Sequence, residues 1–588
     1  MTAYRTRIAL AGLLALAGAA GAQTAPPAER PAATGAPTPL GATPPPAAEP
    51  ETAPPAEFKP GVLGKSTQPG ITTGELGIVD GPPAGTLDDS TGGLGQSMWI
   101  NAARDEVEDL LGRVPLVSAD PFVRELARRL VLTISDAPIG PVKRALVTIR
   151  IEKLLQAGLI DEAGAIAAAV RLDGDADYAR VQADALLYAG RDKEVCGDLT
   201  ATRLTAPEPF WLELRTWCFA AAGDTASAEL THAVLDSQSI KDAAFDTLSA
   251  DVLGGKKTAP AAIEHPTALH IYLLRKAGLP VTNAIAAKLG TAANLLAARE
   301  VRNAAADRLS AASRISATGA LSPGELLAIT NVQAIATGQI AQAQANAARL
   351  IFLPAQTLLR RAASLESRPP EKTELLLAAL GGHVDRLPLT AALQECIALA
   401  IKPDATTAKG RVLISRALIL RGKADAAAAW YANADADMDH AVFAVLLDLA
   451  APTPPRDGGA QAAYAWLAKN AAPQQNPVPA AALALGLSDV LRRPMPPDAK
   501  ALAGTLEGMR WAGTRPSPDD MRKLVEAASQ PGRKGEAILR LLDIIGADGP
   551  ADLPPDVAIE CVRVLLQLGL TAEARSLAVE ALALTHSS

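Results

Sequence analysis

At five places a glycine closes one helix-like run and an alanine follows five residues later, in what would be the first turn of the next run: Gly158/Ala163, Gly223/Ala228, Gly338/Ala343, Gly422/Ala427 and Gly569/Ala574. Leucine or isoleucine usually stands three or four residues before the glycine, as in Leu154 and Leu155, Leu418 and Ile419, and Leu565 and Leu566. Glycine enters the left-handed region that ends a helix, and a small residue at the start of the next helix lets two helices cross closely. The cue therefore specifies a helical hairpin. Gly158, Gly190 and Gly223 stand 32 and 33 residues apart, which is the period of stacked hairpins.

Composition points the same way. Hydrophobic residues make up 49% of the chain and aromatic residues only 3%, so the apolar content is mainly Ala and Leu, the strongest helix formers. The expected fold is all-α: an α-solenoid of stacked helical hairpins preceded by a disordered Pro/Ala-rich N-terminal linker. Helix starts recur at Asp120-Pro121, Ser322-Pro323 with Glu325, Pro497-Asp498, Ser517-Pro518 with Asp520, and Pro555-Asp556, where the capping residue or the preset proline supplies the first turn. Just after Asp120, the residues Phe122, Leu126, Leu130, Val131 and Ile134 share one helical face. Arg124, Glu125 and Arg128 are expected to point outward.

The span from about Leu154 to Leu235 resembles tetratricopeptide-type repeats, although most of that motif's Trp and Tyr positions are absent. More loosely, residues Trp99 to Leu132 and the run Cys196…Trp211…Cys218 resemble uncharacterised secreted helical proteins of Gram-negative bacteria, which imply no activity. Stacked repeats accommodate a long chain more easily than a single core does. Pro-rich breaks at Glu366 to Lys372 and Ala451 to Gly459 suggest division into helical regions at 99–366 and 372–588.

The N-terminus carries Arg5 and Arg7 before a short apolar run from Ile8 to Ala20, then the small-x-small site Ala20-Gly21-Ala22. This is the pattern of a cleaved secretory signal at 1–22, too short to span a bilayer. Periplasmic location follows, with no stable membrane insertion after cleavage. Residues 23–70 read as an extended Pro/Ala linker. Residues 71–98 are Gly-rich but carry Leu76, Ile78, Val79, Leu87 and Leu94, and this segment is expected to dock on the folded body. Cleavage removes two arginines and no acid, so the formal charge moves from −7 to −9. That balance disfavours nucleic acid and anionic lipid as partners.

Four cysteines remain to be read. Cys196 and Cys218 are nearly equidistant from a loop centred near Thr205 to Ala206, and residues placed symmetrically about the turn of an antiparallel helical pair lie level. In an oxidising compartment a disulfide is expected, worth about 3 kcal/mol for a loop of this length; reduced thiols are the alternative, and no C-x-x-C pair supports thiol catalysis. Cys396 and Cys561, in apolar helical context, read as small core residues.

Other chemical candidates weaken on inspection. "GKST" at Gly64 to Thr67 lacks the first glycine of a phosphate loop and the strand and helix that should flank it. Asp173 to Asp177 and Asp435 to Asp439 imitate the start of a calcium loop but lack its glycine and final glutamate, so helix capping is the preferred reading. His265 and His270 are five apart and form no zinc pattern. No metal, cofactor or catalytic residue is assigned.

Trp99, Trp430 and Tyr431 are the candidate partner-contacting residues, against a plain role in the core that Trp211 and Trp217 also suit. The function this supports is a periplasmic scaffold or adaptor binding protein or peptide partners, and not an enzyme. The alternative is a cell-wall or polysaccharide-active enzyme on an all-helical superhelix, which would need paired carboxylates.

Overall fold

The computed structural model describes residues 80–197, 208–260, 262–382, 386–432, 434–453, 459–471 and 478–585. The expected signal (1–22), the expected linker (23–70), residues 71–79 and residues 198–207, which hold the expected loop centre near Thr205, lie outside them. Among the described residues the elements are helices and two short 3-10 turns, and the extended pairings are two isolated bridges, Leu87 with Thr133 and Ala103 with Ile139.

Local chemistry sets the helix ends. Asp120 accepts from the Val123 amide at 2.9 Å and opens the helix Pro121–Leu132. Ser322 with Glu325 and Ser517 with Asp520 form reciprocal capping boxes at Pro323–Asn331 and Pro518–Ser529. Proline begins Pro497–Glu507 and Pro555–Gln567. Gly158, Gly190, Gly223, Gly422 and Gly569 all take positive φ, between 68° and 80°. At each, the amide after the glycine reaches back to a carbonyl five residues earlier, as in Leu159 to Leu154 and Leu570 to Leu565, both at 2.8 Å. Ala163, Ala427 and Ala574 are fully buried where the hairpin arms cross.

Gly338 departs from the expected pattern. It lies inside the short helix Thr337–Ala341, and the chain breaks instead at Gln342 before Ala343–Ala347. Ile335 stands three residues before Gly338 but is only partly buried, and the preceding helix Pro323–Asn331 has already ended, so Gly338 closes no long helix.

Neighbouring hairpins pack in sequence, and one apolar core extends from Ala84 to Leu584. Across the Pro-rich break at 366–372, Phe352–Leu365 packs on Pro369–Gly381. The Gly-rich segment lies on this body from Asp80 onward: Ala84, Leu94 and Met98 are buried, and Asp80 pairs with Arg104. Arg150 fixes the strap, donating to the carbonyls of Ala84 and Val131 at 2.6 Å and of Thr133 at 2.7 Å. Burial lowers its guanidinium to about 10.

The array closes on itself. The first helix, Arg104–Arg113, packs on Lys534–Ile545, and the second, Pro121–Leu132, packs on both Lys534–Ile545 and the last helix, Thr571–Leu584. Backbone hydrogen bonds cross this seam from Gly535 to Met98 and from Asn101 to Gly532, each at 3.0 Å. Ion pairs join Arg113 to Asp543, Arg129 to Glu573 and Arg540 to Glu106. An open solenoid leaves an apolar face at each end that needs a polar cap; here each end covers the other.

Closure also explains why the second helix is buried more widely than its amphipathic pattern implies. Val123, Ala127 and Leu132 join the expected apolar face in the core. Arg124, expected to point outward, is half-buried against Gly319 and donates to the Ser118 carbonyl at 2.9 Å. Ile134 lies beyond the end of the helix.

Candidate functional site

Cys196 and Cys218 lie at disulfide distance, with Cα atoms 5.3 Å apart on the helices Asp192–Gly197 and Pro209–Ala221. Cys561 is fully buried, and burial pushes its thiol up to about 12. Cys396 is not a core residue: it is exposed on Leu387–Ala400, with the Arg360 guanidinium 3.5 Å from its sulfur. The neighbouring Gln394 and Ile397 take the buried positions there. Asp175 and Asp437 each cap a helix, accepting from the amides of Tyr178 and His440. His270 is buried beside Asp242 at 3.1 Å, while His265 stands exposed before the helix that carries His270.

The three aromatic residues expected at a partner surface face inward. Trp99 is 3% exposed and both Trp430 and Tyr431 are 6% exposed, so none is a solvent-facing anchor. Trp99 presses on Gly535 and donates its indole N–H to the Ser135 hydroxyl at 2.8 Å, which makes it an internal clasp at the seam. Tyr431 stacks on Phe443 with ring centroids 4.2 Å apart. In a chain so poor in aromatic residues, the large rings fill volumes that Ala and Leu leave open. Trp211 and Trp217 are buried as well.

A groove of about 620 Å³ opens where the two ends meet. Its walls come from Pro121–Leu132, the end of Arg411–Leu420 and Thr571–Leu584. Phe122, Leu126 and Ile419 form a buried apolar floor, with Leu420 and Val579 partly exposed above it. Glu125, Arg129, Arg421, Glu573 and Arg575 surround them. An apolar floor inside a charged rim is the make-up of a surface that receives another chain.

Beneath the groove, Asp120 and Glu580 face each other, 2% and 4% exposed. Burial raises Asp120 to about 6. Burial also holds Glu580 well above the ordinary carboxylate range, and the charge of Asp120 adds to the effect. Among the described residues Oδ2 of Asp120 has no hydrogen-bond partner, and two buried carboxyls side by side favour keeping a proton between them. Gly549, at φ 82°, approaches so closely that a Cβ there would lie 2.3 Å from Oδ2 of Asp120. The pair joins the start of the second helix to the last helix, and burial favours its protonated form.

No protein-family model matches the chain, and no curated protein or solved structure is similar to it. Among the described residues no group of His, Cys, Asp or Glu could hold a metal ion, and no helix is long and apolar enough to cross a membrane. Neither the groove nor the carboxyl pair was visible in the sequence. Phe122 and Val579 are hundreds of positions apart, and each resembles any other apolar helical residue until closure brings them together.

Proposed function

We propose that the protein is a periplasmic helical-repeat scaffold or adaptor that holds a protein or peptide segment in the groove at its seam. The observation that carries this reading is the groove itself: partly exposed Leu420 and Val579 above a buried apolar floor, ringed by charges of both signs. Closure supports it further, since a rigid, preformed surface loses little freedom on binding. The N-terminal export pattern and the Cys196–Cys218 pair support a location in an oxidising compartment.

A photocrosslinking residue at Ser576, exposed in the groove, tests the reading against the same residue at Ser237, exposed on a different helix. The expected result is a discrete adduct in intact cells from position 576 and none from 237, lost when Val579→Arg fills the groove. Equal labelling from both positions would refute it. The second reading, an enzyme, draws support from the paired carboxyls of Asp120 and Glu580, but their burial keeps them from a polymeric substrate. Complementation by a folded Glu580→Gln variant separates the two: a scaffold retains function, whereas an enzyme using that acid loses it.

A further inference from the structure

Beside the groove lies a second and larger cavity of about 780 Å³, and Arg575 lines both. Four arginines converge on it, Arg492, Arg493, Arg563 and Arg575, with Asp489 as the one acidic lining residue. Two of the four are occupied. Arg563 pairs with Glu507 and Glu560, while Arg493 is buried and donates to the Ala451 carbonyl at 2.6 Å, with Asp448 at 3.9 Å. Asp489 is itself 3.6 Å from Lys500. Among the described residues the guanidinium groups of Arg492 and Arg575 have neither a hydrogen bond nor an ion pair.

Arg492 is also strained. It follows the helix Pro479–Val490 at φ 55°, and Ser239 is the other non-glycine residue at positive φ among those described. The Arg493 amide reaches back to Ser488 at 2.8 Å, the same closing bond that glycine permits at 158, 190, 223, 422 and 569. An arginine in this position crowds its Cβ against the backbone, which glycine would avoid. Strain of this kind persists where the side chain serves a purpose other than stability. The strained turn sets Arg492 at the cavity edge, opposite the start of the last helix at Thr571, whose first-turn amides receive no side-chain cap.

We infer that this cavity binds an acidic peptide segment whose carboxylates pair with Arg492 and Arg575, while its apolar side chains rest on Val490, Leu491 and Leu566. Charge complementarity argues for this occupant: four arginines against one aspartate line the cavity, two of the guanidinium groups without a partner among the described residues, and the forked donors of arginine match carboxylates two bonds at a time. The cavity is far larger than one phosphate needs, and its mixed polar and apolar walls suit a segment of chain. The inference rests on the scaffold reading and names the chemistry of the partner it would hold.

Fluorescence anisotropy on the purified full-length mature chain tests it, with a labelled hexapeptide of alternating Glu and Leu, its Gln-Leu counterpart, and inorganic phosphate as competitor. The Glu-Leu peptide should bind, weaken as salt rises, and lose about tenfold in affinity with either Arg575→Gln or Arg492→Gly. Arg492→Gly should meanwhile raise the melting temperature, which a merely structural arginine would not do. Equal binding of the two peptides, no binding of either, or wild-type affinity in both variants would overturn the inference. So would displacement of the peptide by phosphate at a concentration matching the peptide's own affinity, which would mark a small-anion site. A Ser576 crosslink in intact cells that persists alongside a failed peptide assay would show that this inference alone had failed and the scaffold reading had not.

Discussion

Replacing Gly535 with alanine tests the closure of the array at its tightest point. A Cβ added there would lie 2.4 Å from Cζ3, 2.6 Å from Cε3 and 2.8 Å from Cη2 of Trp99, against an ordinary contact of 3.4–4 Å. The indole must therefore retreat by about 1 Å, or the two backbones must part. Neither movement is free. Trp99 is 3% exposed and its N–H is committed to Ser135, while the Gly535 amide is bonded to the Met98 carbonyl at 3.0 Å. Overpacking of this kind costs about 1–3 kcal/mol. Alanine in place of glycine inside a helix contributes about 1 kcal/mol in the opposite direction. The net expectation is a loss of up to about 2 kcal/mol, and its sign depends on the seam. Native-state hydrogen exchange on peptides covering 98–113 and 531–545 reads the opening directly. Trp99→Leu should abolish the penalty of the alanine, giving a coupling of about 1 kcal/mol or more in a double-mutant cycle. If Gly535→Ala proves more stable than the parent, the chain around Trp99 and the first helix is not packed on Lys534–Ile545 as described.

Two further outcomes follow from buried groups. Cys196→Ser should lower stability by about 2–4 kcal/mol in urea unfolding, and its reduced parent should match it, because the crosslink acts mainly by restricting the unfolded chain; unchanged stability in oxidised protein would contradict the bond. The Asp120–Glu580 pair predicts a pH dependence of definite sign. Burial raises Asp120 to about 6 from an ordinary 3.8 and raises Glu580 as well, so the folded state holds protons that the unfolded state releases. Their stabilisation is full below about pH 4 and is lost as pH rises through 6, by about 1–3 kcal/mol from Asp120 alone. Glu580→Gln, whose amide donates to Asp120 at every pH, should flatten this fall between pH 4 and 7 as followed by denaturant midpoint. An unaltered pH profile in that variant would refute the pairing.

Much of this molecule is decided within a few residues along the chain. Ser322 and Glu325 are three apart, Asp120 and the Val123 amide likewise, and a glycine after paired leucines ends a helix wherever it stands, so caps, turns and all-α class were legible in the sequence. The Cys196–Cys218 pairing was legible for a related reason, since residues placed symmetrically about the turn of an expected antiparallel helical pair lie level, and the two sulfurs do lie at bonding distance. Gly338 marks the limit of such local reading, because the same glycine-alanine cue, with Ile335 before it, follows a helix that has already ended at Asn331. Amphipathic pattern showed which face of the second helix is apolar, yet could not say that Arg124 would be covered by Gly319 or that the helix would pack on Lys534–Ile545, more than 400 positions away. Trp99 could equally have been a surface anchor; only contact with Gly535 makes it a clasp. The Asp120–Glu580 pair and the seam groove exist because the ends of the array meet, whereas Arg492 and Arg575 converge through the packing of Pro479–Val490 on Pro555–Gln567 and Thr571–Leu584. Contacts between residues so far apart obey no spacing rule, and each side chain keeps the same local signature whether or not its partner arrives. Closure therefore belongs to the tertiary structure: it is selected by the apolar area and the backbone hydrogen bonds that two exposed helical ends satisfy in each other, quantities that no single stretch of the chain contains.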